Sequence, residues 1–168
     1  MSDDVQETAA AAEAELDLSA MLLPLSGGML VVPSVSVAEI IRSRETEPAA
    51  ASSPEWLLGY MKWRQYPLPV ISFEAINGDA LPTSNTGSRL VILNSLVEGE
   101  ERPMLAVVTQ GVPNLLRLTP EVITAVDGEP GQAELQRVRV HGQSAAIPDI
   151  DFLAAQVAQH AAESSPAA

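Results

Sequence analysis

Cysteine is absent from the 168-residue chain, which excludes disulfide frameworks, thiol catalysis and Cys-based zinc sites together. Lysine occurs once, at Lys62, and the nine basic residues face 22 acidic ones for a formal net charge of −13. Such a surface repels phosphates, so nucleic acid and anionic membranes are excluded as general partners. No apolar run approaches the roughly 20 residues that span a bilayer, so no membrane insertion is expected. The opening Met-Ser-Asp-Asp has neither the basic nor the apolar region of a secretory signal, and a cytoplasmic location is expected.

The signatures of enzymes are missing as well. There is no Gly-x-Ser-x-Gly elbow and no glycine-rich phosphate loop; Gly27-Gly28 is a turn signal. His141 and His160 lie on separate elements without a third ligand nearby, and Asp149 and Asp151 sit at a helix start, where carboxylates serve as caps. No catalytic residue, metal site or cofactor is expected.

What is present is a series of short apolar runs. Residues 1–17 hold six acids and no base and are expected to be a disordered acidic tail, with a second frayed end at 163–168. One domain is expected over 18–162. Within it, Met21 to Leu25 and Met29 to Val32 flank Ser26-Gly27-Gly28 as a hairpin. Val35 to Ile41 follows, and Glu45 to Pro54 reads as a loop. Leu68 to Phe73, Arg89 to Leu93, Met104 to Thr109, Val122 to Val126 and Gln136 to His141 read as strands. Only Ile150, Leu153, Ala154 and Val157 show a helical stripe, with Asp149 placed to cap it. Many strands and one terminal helix predict a mostly β fold, sandwich- or barrel-like. No internal repeat is visible.

Four of the six aromatic residues, Trp56, Tyr60, Trp63 and Tyr66, crowd into one stretch. Four of the nine basic residues, Arg42, Arg44, Lys62 and Arg64, lie in or near it. Aromatic and arginine side chains together are typical of protein–protein contacts. The same pattern also arises when Trp56 and Tyr60 anchor a core while Lys62 and Arg64 solvate its edge.

The order of motifs is more specific. Pro33 precedes Val37-Ala-Glu39-Ile-Ile-Arg42, a proline-containing loop follows, and then come Gly59, Arg64 and Leu68-Pro69-Val70-Ile71. Further on stand Arg89-Leu-Val-Ile-Leu93, the segment Ala106 to Leu118, and Ala146-Ile-Pro-Asp149-Ile-Asp-Phe-Leu153. From about Leu18 to about Ala158 this succession resembles the CheW-like adaptor domain of bacterial chemotaxis. The resemblance implies a double five-stranded, SH3-like β-barrel with a C-terminal helix, no enzymatic activity and no cofactor. It implies two partners: the regulatory domain of a CheA-type histidine kinase and the cytoplasmic tip of a methyl-accepting chemoreceptor. Carried over by position, the partner-binding residues are Val35, Glu39, Ile40, Arg42, Gly59, Lys62 and Arg64. Alternatives at single positions are an internal salt bridge from Arg64 to Glu39 or Glu55, and core roles for Val35, Ile40 and Leu68. Lys62, Gln65, Ser72 and Gln110 stand where the family pattern has Asn, Gly, Asp and Asp. These departures resemble those of accessory adaptors in pilus-linked, twitching-motility systems, and they leave open a divergent module that competes with kinase coupling or serves a motility complex.

Overall fold

The computed structural model describes residues 18–42, 46–83, 87–94 and 103–164; the acidic tail, Arg44 and the last four residues lie outside them. Among the described residues twelve strands form two six-stranded sheets. The first sheet contains β1 (Leu18–Pro24), β2 (Met29–Pro33), β9 (Asn114–Leu118), β10 (Ile123–Ala125), β11 (Glu134–Val140) and β12 (Gln143–Pro148), in the order β10-β11-β12-β2-β1-β9. The second contains β3 (Val37–Arg42), β4 (Glu47–Pro48), β5 (Leu57–Trp63), β6 (Tyr66–Ile71), β7 (Arg89–Asn94) and β8 (Pro103–Thr109), in the order β3-β7-β8-β6-β5-β4. Both use one pairing scheme: two hairpins joined by a parallel pair, β12 with β2 or β8 with β6, and antiparallel pairing elsewhere. The internal repeat that the sequence hides is therefore a repeat of topology.

Chain length forces both sheets to close. The outermost strands of the second sheet are linked from Arg42 to Glu47, and those of the first from Leu118 to Ile123. Five residues reach at most about 18 Å, whereas six strands laid flat stretch over about 24 Å. Each sheet must curl, and each becomes a small barrel: five full strands plus one short closing strand, Glu47–Pro48 or Ile123–Ala125.

Alternation along the strands then creates three cores. Ala20, Leu22, Val31, Val138 and Val140 fill the first barrel, and Met61, Leu68, Val70, Leu90, Ile92 and Ala106 fill the second. Their sequence neighbours point the other way: Leu23, Val32, Ile71, Val91, Leu93 and Val107 meet in a core shared by both barrels. Burial on both faces explains why β7 and β8 read as continuous apolar runs rather than alternating ones.

Two helices complete the shared core. The short α1 (Phe73–Ile76) starts where the Ser72 hydroxyl accepts from the Ala75 amide at 3.3 Å. The terminal α2 (Ile150–Ser164) is capped by Asp149, whose Oδ1 accepts from the Phe152 amide at 3.1 Å. It inserts Leu153 into the shared core and runs two residues past the expected domain end at 162.

Candidate functional site

Strand β3 is outermost in its sheet and alternates strictly. Val37 and Ile41 pack inward, while Ala38, Ile40 and Arg42 face out. Just before it, a single 3-10 turn (Ser34–Ser36) leaves Val35 82% exposed, and Ile40 is 38% exposed. Neither is core, in contrast to Leu68, which is fully buried inside the second barrel.

Glu39 belongs to the inward-facing set and is half-buried. Its Oε2 accepts a hydrogen bond from the Trp63 indole Nε1 at 2.9 Å, joining β3 to β5. The β4–β5 ladder, Glu47 with Tyr60 and Pro48 with Gly59, closes one part of this seam by backbone bonds. The indole–carboxylate bond closes another part by side chains. Arg64, next along the chain, lays its guanidinium carbon 4.5 Å from the centroid of the Trp63 ring. The alternative salt bridge from Arg64 to Glu39 or Glu55 is not formed among the described residues: the indole holds Glu39 with its edge and Arg64 with its face. Lys62, Arg64 and Arg42 are exposed, so they set cations on the outside of the seam of an acidic protein.

The β5–β6 hairpin has a two-residue loop in which both residues have positive φ, 43° at Arg64 and 74° at Gln65. That is the type I′ geometry whose twist matches antiparallel strands, and it favours Asn-Gly or similar pairs. The β11–β12 hairpin uses the same device with His141 (φ 49°) and Gly142 (φ 77°). Gly59, by contrast, is buried, with φ 152°, and a Cβ there would run into the Glu47 carbonyl oxygen. Its role is to let β4 approach β5.

Trp56 and Tyr60, two further aromatic residues of the stretch, pack into the fold. Trp56 packs against the shared core and meets the His160 ring edge-to-face at 6.3 Å, and Tyr60 packs against that core as well. No three His, Asp or Glu side chains among the described residues are grouped to hold a metal ion.

Residues 19–158 match the model of the CheW-like domain. The chain belongs to the CheW-like family. The crystal structure of the scaffolding protein TtCheW from Thermoanaerobacter tengcongensis is similar to it, with a TM-score of 0.66 at 16% identity over 82% of this chain and 87% of that one. At that identity the likeness supports the fold, a pair of β-barrels with a terminal helix. A search of curated proteins finds no match.

Within this CheW-like chain two departures from the family pattern, at Gln65 and Ser72, have a local reading. Gln65 keeps the positive-φ turn without glycine. Ser72 supplies an N-cap oxygen, as an aspartate does. The backbone N–H of Gln110 donates to the Pro24 carbonyl at 2.8 Å, tying the end of β8 to β1, a bond that does not depend on the side chain at 110. Lys62 is exposed, and nothing in the structure accounts for lysine there. Two features escaped the sequence. Trp63 as the partner of Glu39 was hidden because they are 24 residues apart. Glu74, buried at 4% exposure, carries no local signal, since a glutamate in the first turn of a helix is ordinarily a surface residue.

Proposed function

We propose that this CheW-like domain is a non-enzymatic cytoplasmic adaptor that couples the tips of methyl-accepting chemoreceptors to the regulatory domain of a CheA-type histidine kinase. Its docking face is the outer side of the β3–β5 seam. Val35 and Ile40 supply apolar contact there, and Arg42, Lys62 and Arg64 supply charge. Glu39 and Gly59 shape the seam from within rather than contacting the partner. The observation that carries this reading is the placement of Arg64. Its guanidinium is held over Trp63 yet exposed, so part of the entropy of ordering it is already spent before a partner carboxylate or carbonyl arrives. Among the described residues no helix is long and apolar enough to cross a membrane, and the domain would reach the receptor through its tip.

Calorimetric titration of the protein with the kinase regulatory domain tests this. Saturable binding that Arg64→Glu weakens at least about tenfold, with an unchanged melting temperature, is the expected result. Absence of binding to the kinase domain together with binding to the receptor tip would instead favour the divergent adaptor that no longer couples the kinase.

A further inference from the structure

A cleft of ≈ 480 Å³ opens between the two barrels, lined by the β1–β2 turn, α1 with the residues after it, and β11–β12. Its volume lies within the roughly 300–1,000 Å³ of small-ligand sites. Three carboxylates line it: Glu74, Asp79 and Glu134.

Glu134 is fully engaged. It accepts from Asn77 Nδ2 at 2.8 Å and from the Gly131 amide and Arg137 Nε, both at 3.0 Å. Glu74 differs in every respect. It is 4% exposed, and both of its carboxylate oxygens are buried without a hydrogen-bond partner. The Ser26 backbone and hydroxyl lie near enough to favour its charge but make no hydrogen bond of ordinary geometry with it. Arg137 is engaged by Glu134, and among the described residues no cation offsets Glu74 and Asp79. A buried acceptor pair left unsatisfied is costly, and here it lines a cleft wide enough for a donor to enter.

We propose that this inter-barrel cleft is a binding site for an alkylammonium or guanidinium group, with the Glu74 carboxylate as the receiving anion and Asp79 and the Ser26 hydroxyl beside it. The group has two possible sources, a free small amine or the Lys or Arg side chain of a docking partner. A metal ion is disfavoured, because no suitable group of three ligands exists among the described residues. The groups that face Glu74 are Asp79 after its own helix, Ser26 from the β1–β2 turn, and the Glu134–Arg137 pair from β11. Burial, with Asp79 adding to it, holds the Glu74 carboxyl above the usual carboxylate range. An arriving cation therefore displaces a proton wherever that carboxyl is still protonated.

The test is titration of the full chain with butylammonium, with methylguanidinium, and with short peptides bearing one Arg or one Lys. Affinity should rise as pH rises above the ordinary carboxylate range. Glu74→Gln, which keeps the shape, should lose at least about tenfold in affinity. Binding of the small ions locates the source in free amines, and binding of the peptides alone locates it in a partner side chain; either supports the site. Absence of saturable binding by all four probes overturns it, as does Glu74→Gln binding as well as the parent. Should Glu74→Gln fail to fold, calorimetry of the parent in two buffers of different ionisation enthalpy decides. Protons released on binding at mildly acidic pH support the proposal, and none released there contradicts it.

Discussion

The indole Nε1 of Trp63 donates to Glu39 Oε2 at 2.9 Å, and this bond ties two strands that share no backbone ladder. It makes Trp63 the central residue of the seam, since the face of the same ring carries Arg64 at 4.5 Å. Trp63→Phe keeps a ring for Arg64 but strands the half-buried carboxylate, and should destabilise the fold by about 1–3 kcal/mol. Glu39→Gln keeps an acceptor and should lose less. A double-mutant cycle from chemical denaturation measures the coupling, and additive losses would show the bond to be idle.

The loop of the β5–β6 hairpin holds a removable strain. Left-handed backbone costs a non-glycine residue about 1–2 kcal/mol, and Gln65 sits at φ 74°. Gln65→Gly should stabilise the protein by somewhat less than about 1 kcal/mol, because glycine also gains freedom in the unfolded chain. Thermal unfolding checks the sign.

Gly59→Ala should act in the opposite direction. The added methyl meets the Glu47 carbonyl, a backbone group that cannot swing aside. A loss of about 2–4 kcal/mol is expected, together with faster amide exchange along β4.

Two buried carboxylates give opposite pH signatures. Burial raises the Glu74 carboxyl, only partly opposed by its own amide and by Ser26. The folded chain thus binds that proton more tightly than the unfolded one. Stability from Glu74 is complete below the ordinary carboxylate value and is lost as pH rises to the raised folded value. Glu74→Gln should match the parent in acid and exceed it at neutral pH. At Glu134 burial also works to raise the carboxyl, but the Gly131 amide, Arg137 and Asn77 outweigh it and hold the group below its usual range. Its stability is present above the ordinary value and is lost as pH falls through the lowered one, so Glu134→Gln should be weaker than the parent at neutral pH. Unfolding curves over a pH series separate the two.

The elements that could be read from sequence are those whose apolar pattern is locally complete. Strands β7 and β8 announced themselves as continuous runs, and the β1–β2 hairpin by its Ser-Gly-Gly turn. The stripe Ile150, Leu153, Ala154 and Val157 gave the terminal helix, with Asp149 as its cap. Strand β4 could not be read, because two residues paired to β5 carry no periodicity, and Glu45 to Pro54 therefore read as plain loop. Strand β12 begins Gln143-Ser144 and ends at Pro148, and it is a strand because β11 and β2 pair with it. The four-residue α1 depends on Ser72. Around the β3–β5 seam the motif named positions but could not say which of them face outward. Glu39 and Gly59 turn inward because strand alternation and the β4 contact place them there, and neither cause is visible in a motif.

The central claim is that partners dock on the outside of the β3–β5 seam, and a paired-variant titration tests it most directly. Val35, Ile40 and Leu115 are all exposed apolar residues, at 82%, 38% and 68%, but Leu115 lies on β9 in the other barrel. Val35→Asp and Ile40→Asp should each weaken binding of the kinase regulatory domain or the receptor tip by at least about tenfold, while Leu115→Asp leaves it unchanged. Loss of binding in Leu115→Asp with both seam variants unaffected would contradict the account and place the docking face on the first barrel.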